Sequence, residues 1–304
     1  MKVVSYYSSI PAGNKNPEKE QILKNFSAGV KRYGDDIIEH HGNYMMSDVA
    51  LIQGWVHETS ANSPHLNVRK QVIHNQTALN KCVITADSNL FLYAVGKENE
   101  PHHYLRYSAN GIFPTTGKYF WDNPNPDRWK QISRDLNINL KDWRTNGNHI
   151  LITTQRNGGW SMGGTSVVDW VNHTIKKLRK HTDRPIIIRG HPGDAKAKVY
   201  LKNKEWSLSK NLNLLDDLKN CWAVITYNSS PGVASAIEGI PVFVTDPMPY
   251  KSQAFDIANF DYKLIESPNM PDRQTWIEKI SMCHWNFEEL ASGEAWNHIR
   301  QYCT

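Results

Sequence analysis

The stretch from Val224 to Val244 constrains this chain most: a short apolar run ends in Tyr227, Asn228, Ser229 and Ser230, small residues follow through Ala236, and a second apolar run starts at Val242. That pattern predicts strand, polar turn, short helix, strand, the repeating step of a parallel α/β sheet. Backbone N–H groups at a helix start lack partners and carry the positive end of the dipole, so Asn228 to Gly232 are placed to hold a phosphate or diphosphate. Ala234, Ser235 and Ala236 permit close approach, and Glu238 is a candidate acceptor for ribose hydroxyls. An ordinary Ser-capped helix between buried strands fits the same residues.

The same alternation runs along the chain. Val3–Tyr7, Val49–Ile52 and Cys82–Thr85 predict strands, separated by helices over about Pro17–Tyr33, with Ile22, Leu23, Phe26 and Val30 at helical spacing, and His65–Gln76. A stretch rich in Pro, Gly, Asn and aromatics follows from Glu98, with a helix near Asp127–Leu136. His149–Thr154, Ile186–Ile188, Ala223–Thr226 and Val242–Val244 predict a second set of strands. Helices are expected at Val167–Leu178, Leu212–Cys221 and Ser230–Glu238, and most of Trp276–Thr304 reads as helical. The expected fold class is α/β with two Rossmann-like domains and parallel sheets. The first domain is expected over 1–147, the second over 148–270, and C-terminal helices over 271–304 that return to the first.

At 304 residues the chain accommodates two cores. It has no apolar run of membrane-spanning length and no basic-then-apolar leader at Met1, which predicts a protein with no membrane partner, in the cytoplasm. Cys82, Cys221, Cys283 and Cys303 form no C-x-x-C pair and read as incidental buried thiols. A formal charge of +5 helps approach to a polyanion without being a nucleic-acid signature. Eleven tryptophans and thirteen tyrosines offer faces for stacking on sugars or bases, though such rings also build cores.

Ligands of parallel sheets bind beyond the carboxyl ends of strands. In the second half those loops carry Gln155, Arg156, Asn157, Gly158 and Gly159; then Arg189, Gly190, His191, Pro192, Gly193 and Asp194; then Asn228, Ser229 and Ser230; then Thr245 and Asp246. Arg156 and Arg189 are candidates for a diphosphate, with surface ion pairing as the competing use. His191 is a candidate to hydrogen-bond a phosphate or leaving group, or else a packed ring. The glycine pairs match neither the dinucleotide fingerprint nor the Lys-bearing phosphate loop. In the first half, Asp87 after a buried strand is the candidate base, with Ser9, Asn89 and Arg106 as acceptor-binding residues; a turn-forming Asp is the alternative. Asp36, Asp48 and Glu58 are rivals.

The architecture and, more sharply, Arg189 to Pro192 and Thr226 to Ser230 through Glu238 to Pro241 resemble glycosyltransferases of the GT-B class, with two Rossmann-like domains facing across a cleft. The His-Pro and Ser-Ser…Glu-Gly-Ile-Pro elements are similar to capsule-polysaccharide-type transferases. The full combination, with the opening Tyr6 to Pro11 and the segment Gln155 to Met162, resembles bacteriophage proteins that glycosylate hydroxylated or hydroxymethylated DNA bases. The resemblance implies a UDP-sugar donor as substrate, with Ser229 and Ser230 near the diphosphate and Glu238 near the ribose, and no tightly bound cofactor. A divalent metal is possible without being required. It implies a hydroxymethylated pyrimidine in DNA as acceptor and, for a phage protein, the host cytoplasm as location. Flipping that base out would call on Lys15, Lys19, Arg69, Lys70 and Arg106 with Trp55 and Tyr104. Transfer to a capsule saccharide, a nucleotide-sugar epimerase or hydrolase, and a non-catalytic DNA-binding protein stay open. His191 followed by Gly193 and Asp194 departs from the family pattern, and Asp87 rests on position alone.

Overall fold

The structure is a computed structural model describing residues 1–13, 18–56, 60–91, 104–112 and 123–303. Lys15, Pro17, Glu58 and Glu98, named above, lie outside the described residues. In chain order the elements are β1 (Lys2–Tyr6), α1 (Glu18–Arg32), β2 (Asp36–His40), β3 (Val49–Gln53), α2 (Pro64–Ala78), β4 (Cys82–Asp87), β5 (Leu105–Ala109) and α3 (Pro126–Leu136). Then come β6 (His149–Thr153), α4 (Val167–Leu178), β7 (Ile186–Arg189), α5 (Ala197–Tyr200), β8 (Ser207–Leu208), α6 (Leu214–Leu218), β9 (Cys221–Thr226), α7 (Pro231–Ile237) and β10 (Val242–Val244). The chain ends with α8 (Gln274–Ser281), β11 (His284–Trp285), α9 (Phe287–Ser292) and α10 (Glu294–Arg300).

Two compact units result: Met1–Leu136 with Glu278–Thr304, and Asn137–Ile277. The sheet of the first has the order β11-β5-β4-β3-β1-β2. β2, β1, β3 and β4 are parallel, and β5 and β11 add antiparallel pairings at one side. The second unit's sheet, β10-β9-β6-β7-β8, is parallel throughout. In each sheet the chain builds outward, then returns to the other side of its first strand. The strand order therefore reverses between β1 and β3, and between β6 and β9, the positions where ligands of such sheets bind.

The core of the first unit explains why its last residues belong to it. Leu23, Phe26 and Val30 of α1 pack with Tyr107, Leu290 and the fully buried Trp296. A Cβ on Gly29 would lie 2.1 Å from the Leu290 carbonyl oxygen, so α1 and α9 meet at a contact that has room for glycine alone. Arg128 of α3 forms a buried ion pair with Glu289 of α9, and its guanidinium lies 4.2 Å from the Trp285 ring centroid. Cys82 of β4 and Cys303 are joined as a disulfide, whereas Cys221 and Cys283 are buried thiols outside it. This corrects the expectation of four incidental thiols: the two partners are 221 residues apart, and packing of the last helices on α1 brings them together.

Two further expectations change. The helix expected over Leu212–Cys221 contracts to α6, because Asn220 turns the chain at φ 55° and Cys221 already pairs in β9. The helical tail is interrupted by β11, whose two residues pair with Leu105 and Arg106 of β5. No helix among the described residues is long and apolar enough to cross a membrane.

Candidate functional site

At the carboxyl edge of the second unit's sheet, three loops are tied by one buried amide and carboxylate network. Gln155 Nε2, after β6, donates to Asn228 Oδ1 at 2.9 Å and to Ser161 Oγ at 2.5 Å. Asn228 Nδ2, after β9, donates to Asp246 Oδ2 at 2.6 Å and to the Ser161 carbonyl at 3.2 Å. Asp246, after β10, also accepts from the Met248 N–H at 2.8 Å. All three side chains are buried, so each must find its partners inside the protein. The network sits at the β6/β9 reversal and holds the Gly158–Gly164 turn, in which Gly158, Gly163 and Gly164 all have positive φ.

The loop after β7 joins the same edge through Asp194. Its carboxylate accepts from the Asn157 N–H at 3.1 Å, the Tyr200 hydroxyl at 2.6 Å and the Lys196 N–H at 3.2 Å. Asn157 Oδ1 in turn accepts the first N–H of α4, from Val167, at 3.2 Å. His191 Nδ1 accepts from the Gly193 N–H at 3.0 Å, which assigns the proton of the neutral ring to Nε2 and leaves that atom a donor. Burial, followed by the Arg156 cation, pushes the His191 pKa below its ordinary value, so the ring is neutral at pH 7. A Cβ on Gly193 would lie 2.3 Å from Arg156 Nη2 and 3.2 Å from His191 Cε1, so Gly193 brings guanidinium and imidazole together. Arg156 itself is exposed and makes no side-chain hydrogen bond or ion pair among the described residues.

After β9, Ser229 Oγ and Thr226 Oγ1 lie 2.6 Å apart, and Ser230 is exposed at the start of α7 with no capping bond from its side chain. The helix start is partly spent on itself: the N–H groups of Gly232, Val233 and Ala234 donate to the carbonyls of Ser229 and Ser230. What this turn offers a ligand is therefore its hydroxyls and the Ser230 N–H. At the end of β7, a cavity of about 400 Å³ runs from His191 and Pro192 to Ser209, Lys210 and Asn211, large enough for a base and ribose. A second, of about 680 Å³, lies along α4 between Trp170, Tyr227, Asp246 and Tyr262.

Two residues expected here have their charges engaged within the protein, although Arg189 also lines the 400 Å³ cavity. Arg189 donates to Asp217 Oδ2 and to the carbonyls of Asn211, Leu212 and Asn213, and so braces the loop leading to α6. Asp217, buried, also accepts from Ser209 and Asn211, so the pair is an internal brace rather than an open anion site. Glu238 sits at the C-terminal end of α7 and pairs with Lys141. At 1.5 Å per residue that end lies ~12 Å along the helix from Ser230.

In the first unit Asp87 ends β4 at the carboxyl edge, where its carboxylate takes Arg106 Nη2 and the Ser88 N–H. Asp36 begins β2 and Asp48 directly precedes β3, so both rivals stand at the opposite, amino edge. Asp48 also takes the Lys2 N–H and Lys81. Ser9 is fully buried, donating to the Tyr6 carbonyl and accepting from Gln53 N–H, so its hydroxyl is structural rather than open to an acceptor. Asn89 and Arg106 are buried as well. Of the groups considered for tracking DNA, Arg69, Arg106 and Tyr104 are interior, Lys70 is held by the Ser60 carbonyl, and Tyr104 donates to Asp135. Sequence reasoning missed the Gln155–Asn228–Asp246 network as a unit, although each member was visible at a strand end. Among the described residues no group of three or more His, Cys, Asp or Glu side chains is placed to hold a metal.

No family model matches the sequence, and no curated protein matches it. Solved structures do. The beta Kdo 2,4 transferase of Thermosulfurimonas dismutans KpsC is 14% identical, with 98% of each chain covered and a TM-score of 0.55. The beta Kdo 2,7 transferase of the same protein is 13% identical over 97% of this chain and 99% of its own, with a TM-score of 0.52. The chain has the GT-B fold. At these identities the likeness speaks for the fold alone, so the chemistry rests on the site.

Proposed function

We propose that this protein is a glycosyltransferase that moves a sugar from a nucleotide-sugar donor, a UDP-sugar, to a hydroxyl acceptor. The observation that carries the proposal is the pairing of Arg156, unengaged among the described residues, with a neutral His191 whose Nε2 is a donor and which lines a nucleoside-sized cavity, at the sheet edge where β9 also ends in Ser229 and Ser230. Such a set suits a diphosphate, whose charge rises as the bond to the sugar breaks. In transfer, the C1–O bond to the diphosphate breaks with its electron pair going to the phosphate oxygen, where Arg156 and His191 Nε2–H stabilise it. The acceptor oxygen forms the new bond to C1 and gives its proton to Asp87.

For the acceptor, the motif resemblance supports a hydroxymethylated pyrimidine in DNA. A saccharide is the second reading, favoured by the burial of Arg106 and Tyr104, which leaves fewer open groups for tracking a duplex. Incubation with a panel of nucleotide sugars, each with hydroxymethylcytosine DNA, with an oligosaccharide, or alone, tests the proposal by nucleotide release and product mass. Acceptor-dependent release with a sugar-sized mass gain is the expected result, and Asp87→Asn should abolish it while preserving nucleotide binding. Release without an acceptor would mean a hydrolase or epimerase, and absence of any nucleotide binding would overturn the assignment.

A further inference from the structure

The strand order of the first unit's sheet reverses between β1 and β3, and one side chain spans that point. Arg69 of α2 donates through Nε and Nη2 to the carbonyl of Ser9, after β1, at 3.0 and 2.8 Å, and through Nη2 to Oε1 of Gln53, the last residue of β3, at 3.0 Å. Every one of these acceptors is neutral. Arg69 retains 8% exposure and has no ion pair among the described residues, while its Nη1 has no hydrogen-bond partner there. A cation this deep is costly unless an anion accompanies it. The Asp87 carboxylate acts on it from a distance and is in direct contact with Arg106 instead.

The surroundings add one further cation, Lys19, and an imidazole that is neutral at pH 7. His65 stands one turn before Arg69 on the same face of α2, and burial, followed by the Arg69 and Lys19 charges, holds its pKa down. Burial brings Arg69 itself down to about 10. Gly54, at φ +77°, lets the chain pass the guanidinium: a Cβ there would stand 2.8 Å from Nη1. On the same edge, Asn89 keeps a buried Nδ2 with no hydrogen-bond partner among the described residues.

We infer that Arg69 is an oxyanion-recognition residue at the strand-order reversal of the first unit, and that the acceptor carries a phosphate or carboxylate group which it binds. The acceptor part rests on the glycosyltransferase proposal, whereas the oxyanion site stands independently and is tested by binding. The full chain carrying Arg156→Gln, which removes the exposed arginine proposed for the donor site, is labelled on arginine and titrated at constant ionic strength with inorganic phosphate and, separately, with acetate. The Arg69 guanidinium NMR signal, assigned by its loss in Arg69→Lys, is expected to shift saturably. Arg69→Gln is expected to weaken phosphate binding about tenfold, the equivalent of one charge-assisted contact. Saturation by phosphate alone points to a phosphorylated acceptor, and by acetate to an acidic saccharide; both support the site. An Arg69 signal insensitive to both anions overturns it, as does unchanged phosphate affinity in a folded Arg69→Gln protein. Should that variant not fold, the signal of the intact side chain decides.

Discussion

Asn228 Nδ2 donates to Asp246 Oδ2 at 2.6 Å, joining the loop after β9 to the loop after β10 beneath the candidate donor site. The amide is the carboxylate's side-chain partner in a buried setting, and it also receives Gln155. Asn228→Ala leaves Asp246 with the Met248 N–H and is expected to cost about 2–3 kcal/mol, as for a lost hydrogen bond to a buried charge. Urea denaturation reads that cost, and nucleotide affinity should fall with it. An unchanged midpoint would mean that the network contributes nothing to holding the loops.

Arg156 and Arg189 look alike in sequence, each following a strand, yet Arg189 is paired with Asp217 and Arg156 is unengaged among the described residues. Arg156→Gln should leave the unfolding midpoint within error, because the side chain is exposed and unengaged, while weakening nucleotide-sugar binding about tenfold and flattening its salt dependence. Arg189→Gln should do the reverse. It leaves the buried Asp217 carboxylate with Ser209 and Asn211 but without its cation, and is expected to cost about 3 kcal/mol. Calorimetric titration and denaturation on both variants check the pair, and equal binding losses would contradict the division.

The βα alternation was legible because buried parallel strands are unbroken apolar runs, as Ile186–Ile188 shows, and because Phe26 and Val30 mark a helix face. β2 was not, since Asp36, Glu39 and His40 interrupt its apolar residues at a half-exposed edge. β5 and β11 pair across about half the chain, and their short runs carry no local signal of that. The loops of the candidate site could be named from strand ends alone. Which of their charges are engaged internally could not, because Arg189–Asp217 and Lys141–Glu238 depend on where α6 and α7 lie against the sheet.

Glu238 gives the sharpest case. Motif resemblance puts it near the ribose, but α7 carries it away from Ser230 and onto Lys141. Glu238→Gln is therefore expected to change nucleotide affinity less than twofold, whereas Ser230→Ala should weaken it measurably. A large loss in Glu238→Gln with unaltered stability would restore the carboxylate to the donor site.

Acid sensitivity should originate in the first unit. His284 is fully buried as a neutral ring: Nδ1 donates to the Ile280 carbonyl at 2.9 Å and Nε2 accepts from the Leu90 N–H at 3.2 Å. Burial lowers its pKa to about 3, and burial with the Arg128 charge lowers that of His298 to about 4. Both folded values lie below the ordinary 6.5, so as pH falls the unfolded chain takes up protons first. Their contribution is complete above about pH 6.5 and is lost on the way down to about pH 3–4, with a limiting slope of about 1.4 kcal/mol per pH unit for each ring. Between pH 6.5 and 5 most carboxylates stay ionised, so urea midpoints in that range isolate the effect. In His284→Gln the amide can donate to Ile280 and accept from Leu90 without titrating, so one proton's worth of slope should disappear. An unaltered slope in that variant would show that protonation of His284 does not limit the fold.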